Sequence, residues 1–139
     1  MMDKTYEQYE KECEEIRKVN GELIKIFENE LKEKGLVKKT IKNHIENIDL
    51  YINDYLLRED ALPMENGLTK LDSFFYFFIH KCMWSTPSSC KAMGASIKKF
   101  YRCMMEHGKI DKSDYELLSQ DIKEMMPFWV EECDDFNDW

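Results

Sequence analysis

Apolar positions between Ser88 and Gly108 return every three or four residues. Cys90, Met93, Ile97, Tyr101 and Met104 fall on one side of a helix and predict a face that seeks a core. Lys91, Lys98 and Arg102 keep the same spacing about 130° away around the axis, at roughly 100° of turn per residue. Gly108 follows as a helix stop, because a residue just past a helix end often takes a positive φ that suits glycine. The same periodicity runs through Ile41, Ile45, Ile48, Ile52 and Tyr55 and predicts a helix within Leu36–Leu57. Upstream, Val19, Leu23, Ile26, Phe27 and Leu31 form a third stripe that ends at Gly35. A stretch rich in Glu and Lys precedes it, with sparse apolar points at Tyr6, Tyr9, Cys13 and Ile16. Asn20-Gly21 marks a potential break, so this region reads as one long helix or two.

From Leu71 to Trp84 apolar residues cover almost the whole circumference, which predicts a helix buried on several sides. Thr69 to Asp72 has the spacing of a capping box before it, and Ser113 to Glu116 has the same before a last helix carrying Tyr115, Leu118 and Ile122. Pro87 bars helical geometry at its predecessor, which leaves Ser88 or Ser89 to cap the helix that follows. Gly94 inside that helix costs about 1 kcal/mol against alanine, and a close crossing with the aromatic helix would explain it. Pro127 is expected to end the last helix or open a short final one, with Phe128, Trp129 and Val130 folding back on the core. These elements make five or six helices and no strand, hence an all-α bundle. The expected organisation is a helical lead-in over 1–19, a bundle over 20–126 and a partly docked acidic, aromatic tail over 127–139.

Composition agrees with a folded domain. Of 139 residues, 43% are hydrophobic and 35% charged, enough for both a core and a solvated surface. The net charge of -8 is unevenly spread: residues 113–139 hold one Lys and nine acids, whereas 34–112 hold 13 basic residues against nine acidic ones. A basic middle between acidic flanks does not exclude a nucleic acid, although it speaks against a strong non-specific binder. Five cysteines without a CxxC pair, no signal peptide and no apolar run of membrane-spanning length predict a reduced, cytoplasmic setting away from membranes.

Catalytic chemistry finds little support. There is no Gly-rich phosphate loop, no GxSxG and no HExxH. His80 and Cys82 lie two apart on different helix faces, which does not make a metal site. The sequence therefore predicts no enzyme, no metal and no cofactor. Lys38, Lys39 and Lys42 are more suggestive. They crowd the start of a helix, where the dipole prefers anions. Either they are solubilising lysines or they are kept for an anionic partner.

These residues resemble a known family. Lys34-Gly35-Leu36 leads to Lys39-Thr40-Ile41 at a helix start, and the later helix ends SIKKFYRCMMEHGKI. Over about residues 20–125 this is similar to the N-terminal core-binding, or SAM-like, domain of tyrosine recombinases and phage integrases. The resemblance implies a single orthogonal helical bundle that clamps one side of duplex DNA. It also implies contacts, mainly to phosphates, from Lys38, Thr40, Lys42 and Asn43 and from Lys91, Lys98, Lys99 and Arg102. The recombinase catalytic domain has no counterpart in these residues, so strand exchange is not implied. Two functions follow as expectations. One is a DNA-binding module related to recombination and integration. The other is a helical protein-interaction module, binding a protein partner or a second copy through an apolar patch involving Leu50, Phe136 and Trp139.

Overall fold

A computed structural model gives the structure of this chain and describes residues 5–137. Trp139 lies outside the described residues. Five α-helices are described: α1 Tyr6–Glu33, α2 Lys38–Asp49, α3 Leu71–Lys81, α4 Pro87–Glu106 and α5 Lys112–Asn137. A π-helical turn, Leu50–Tyr55, prolongs α2, and a short 3-10 helix, Met64–Thr69, precedes α3. The described residues contain no strand, so the fold is all-α as the periodicity predicted. The chain divides into two compact units, Met1–Gly67 and Leu68–Trp139.

In the first unit, Thr5 and Gln8 close a capping box at the start of α1, with each side chain accepting the other residue's backbone N–H. The helix runs unbroken through Asn20 and Gly21. Asn20 is buried there because its amide donates to the Ile52 carbonyl at 3.2 Å and to Asn53 Oδ1 at 2.8 Å. Leu23, Phe27 and Leu31 are buried, and so are Ile41 and Ile48 of α2. The widened turn after α2 sends the Leu56 N–H to the Tyr51 carbonyl and leaves Tyr51 and Ile52 both buried. Tyr51 donates its hydroxyl to the Gly67 carbonyl, and burial pushes its phenol well above the ordinary range. Gly35, at φ 78°, ends α1 while Leu36 N–H reaches back to the Leu31 carbonyl at 3.2 Å.

In the second unit, Phe74, Phe75, Phe78 and Ile79 of α3 are buried, and Phe75 stacks on Trp129 of α5 with ring centroids 4.0 Å apart. Four expectations are corrected here. The cap of α4 is Thr86, in a reciprocal box with Ser89, and Pro87 occupies the first turn, where its missing N–H costs nothing. The start of α3 has no side-chain cap, because Thr69 belongs to the preceding 3-10 helix. The last helix begins at Lys112, ahead of Ser113, with Tyr115 N–H bonded to the Asp111 carbonyl. Gly94 allows a close crossing with α5 rather than with α3: a Cβ placed on it would run into Met126 Cε and meet Ile122 Cγ2.

Helix α5 also continues through Pro127 to Asn137. A proline inside a helix gives up one backbone bond, and tertiary contacts offset that loss. Trp129 and Cys133 are buried, and the Asn137 amide donates to the Ser85 carbonyl at 2.9 Å. Phe128 does not fold back on the core. It is 64% exposed, while Val130 is half-buried.

Candidate nucleic-acid interface

The face of α4 turned away from its core is built by period alone. At about 100° per residue, Ser88, Lys91, Ala92, Ala95, Lys98, Lys99 and Arg102 occupy roughly one third of the circumference. All seven are exposed, while Cys90, Met93, Ile97, Phe100, Tyr101 and Met104 on the other side are buried. The face carries four cations and ends at Glu106, the helix's single carboxylate, which lies 3.8 Å from Arg102. Lys91, Lys98 and Lys99 make no ion pair among the described residues. Between the cations stand Ser88, Ala92 and Ala95, short side chains that share their spacing. Short neighbours leave long cations as the most projecting groups, which is what a backbone-contacting helix needs. Gly108, at φ 72°, ends this helix as expected, with Lys109 N–H bonded to the Met104 carbonyl at 2.8 Å.

The other predicted set lies on α2 in the first unit. Lys38 and Lys42 sit side by side and exposed, and Lys42 lies 3.8 Å from Glu46. Val37 provides no side-chain cap, and the first turn has no acid. The N-terminal amides, with Lys38 and Lys39, are therefore available to an anion, while Lys42 already has Glu46 beside it. Asn43 is exposed but turned partly aside, and Thr40 is half-buried on the far side of the helix from Lys38 and Lys42. The α2 lysines thus share a face that Thr40 does not join.

All five cysteines are buried and none forms a disulfide. Burial, with further contributions from Cys133 and Glu132, pushes the Cys90 thiol up to about 12, away from the reactive thiolate. His107 lies 2.9 Å from the Cys103 carbonyl through Nδ1, and His80 lies 2.9 Å from Glu132 Oε1 through Nε2. His44 packs near Phe27. A cavity of about 370 Å³ in the first unit is lined by Ile16, Val19, Leu23 and Met64 with Glu12 and Glu65, and no His, Cys, Ser or Thr faces it. Among the described residues no three His, Cys, Asp or Glu side chains are grouped to hold a metal ion. No helix among them is long and apolar enough to cross a membrane. No protein-family model matches the chain, and neither does a curated protein or a solved structure.

Proposed function

We propose that this chain is a non-catalytic DNA-binding module that contacts the duplex backbone through the exposed cationic face of α4. The observation that carries this reading is the face itself: four cations on one third of a helix, three of them without an ion pair among the described residues, separated by small side chains. Clustered cations lower the cost of bringing phosphates close and release counterions on binding. Lys38, Lys39 and Lys42 add a second anion-binding set at the uncapped start of α2. The resemblance to the core-binding domain of tyrosine recombinases, with its role in recombination and integration, supports the same helices. Such contacts position a protein on DNA and read little sequence.

Fluorescence anisotropy of a labelled duplex tests this. Four phosphate contacts predict an affinity loss of about a hundredfold between roughly 50 and 200 mM salt. Affinity that is independent of salt, or that survives Lys98→Glu with Arg102→Glu unchanged, would remove the α4 face from the account.

A second reading, a helical protein-interaction module, is favoured by large apolar side chains that remain exposed on α3 and α5, including Tyr76 and Leu117.

A further inference from the structure

The outer face of α5 is the counterpart of the cationic face of α4. Leu117 is 68% exposed, Phe128 64% and Phe136 39%. At about 100° per residue these three lie within roughly 100° of one another, on one stripe. Asp114, Asp121, Glu124, Glu132 and Asp135 stand on the same stripe, all exposed. The helix's two cations, Lys112 and Lys123, point to the opposite side, where Lys112 lies 3.9 Å from Glu116. The stripe is therefore both apolar and uniformly negative.

It is also concave at one end. Leu71, Leu117 and Met125 floor a cavity of about 400 Å³, a size that ordinary ligand sites share. Asp72, Asp114, Asp121 and Glu124 wall it. Further along, Tyr76 of α3 is 56% exposed, and its ring leans on His80, which in turn meets the edge of Phe136 at 4.8 Å. Exposed aromatics and aliphatics in such a run mark an interaction surface.

We infer that this face docks a basic amphipathic helix of a partner protein, with apolar anchors on one side and Lys or Arg flanking them. Charge complementarity selects the sign of the partner: every ionised side chain on the stripe is a carboxylate, so phosphates and acidic surfaces are repelled. The layout selects its form. The carboxylates that wall the cavity are not grouped to hold a metal ion, and Glu132 and Asp135 carry the negative charge further along the helix, so the set matches positive charge distributed on a chain and not a single ion. The anchors Leu117 and Phe136 stand 19 positions apart, about 28 Å at 1.5 Å per residue, which suits a partner helix of about five turns. A second copy of this chain is a poor occupant. Its own cationic face on α4 carries Ser88, Ala92 and Ala95 between the charges, and no large apolar anchor. The inference stands independently of DNA binding.

The test uses the full chain and a labelled 18-residue helical peptide of leucine and lysine, with leucines at three- and four-residue spacing. The peptide should bind at about 150 mM salt. Leu117→Ser with Phe128→Ser should weaken it at least tenfold, and so should Asp121→Lys with Glu124→Lys. These positions are exposed, so circular dichroism melting should show both variants folded. Lys98→Glu with Arg102→Glu should leave peptide affinity within about twofold, which separates this surface from the DNA-binding proposal. Amide shift changes in a nitrogen–proton NMR spectrum should concentrate on residues 71–76 and 114–136. The inference is overturned if a serine–lysine peptide of equal charge binds as tightly, since charge alone would then explain binding. It is equally overturned if the serine variant binds like the parent, if spermidine displaces the peptide at similar concentration, or if the shift changes map elsewhere.

Discussion

Helices α4 and α5 pack together in one unit, yet they present opposite surfaces. On α4 every large apolar side chain except the half-buried Met105 is buried, and the exposed third carries cations among small residues. On α5 the exposed side mixes carboxylates with Leu117, Phe128 and Phe136. The lesson is that the net charge of -8 describes neither helix. A partner meets a local face, and screening over about 8–10 Å at ordinary salt makes each face act largely by itself. Two faces of opposite sign in one unit are suited to two different partners.

The comparison breaks most strongly at the seam between the aromatic helix and α5. Trp129→Ala removes a stacked, buried ring and should cost about 3–5 kcal/mol in urea unfolding. A cost below about 1 kcal/mol would mean that the second half of α5 is a peripheral tail. Truncation after Met126 should for the same reason destabilise this unit, because it deletes the buried Trp129 and Cys133.

Next comes the crossing of α4 with α5. Gly94→Leu forces a side chain against Met126 and Ile122 and should destabilise by about 1–3 kcal/mol, read from the shift in urea midpoint. An unchanged midpoint would show that the helices do not approach closely there.

The pair also shares buried thiols at Cys90 and Cys133. The Cys90 proton is retained up to about 12, whereas an exposed thiol loses it near 9. Between those values the folded state holds more protons than the unfolded chain, so stability falls as pH rises, by at most about 1.4 kcal/mol per pH unit. Cys90→Ala should flatten the decline between about pH 9 and 10, before tyrosines ionise. An unaltered decline would place its cause elsewhere.

The smallest effect lies outside the pair and serves as its reference. Gly21 faces open space in α1, and a Cβ there meets nothing within 4 Å. Gly21→Ala should therefore raise stability by about 0.5–1 kcal/mol without touching α4 or α5.

Much of this fold was legible as period. The apolar steps of α2 and α4, and the glycine stops at Gly35 and Gly108, correspond directly to buried faces and positive-φ residues. What was not legible depended on partners distant in sequence. Asn20 reads as a helix break until Ile52 and Asn53 supply acceptors for its amide. Pro127 reads as a stop until burial of Trp129 and Cys133 outweighs one lost backbone bond. Phe128 reads as core because residue type carries no direction, and α5 turns it outward while turning Trp129 in. The cationic stripe of α4 was readable because spacing alone sets it. Thr40, placed by family resemblance and not by spacing, falls off the lysine face of α2.

The central claim is that a local face, and not overall charge, brings this chain to DNA. The direct measurement titrates one labelled duplex with three forms at about 50 mM salt: the parent chain, Lys98→Glu with Arg102→Glu on α4, and Lys11→Glu with Lys18→Glu on α1. Both variants change the net charge equally, and all four lysine or arginine positions are exposed. The account predicts that the α4 variant loses at least tenfold in affinity while the α1 variant stays within about threefold of the parent. Equal losses in the two variants, or no binding by the parent chain, would contradict it.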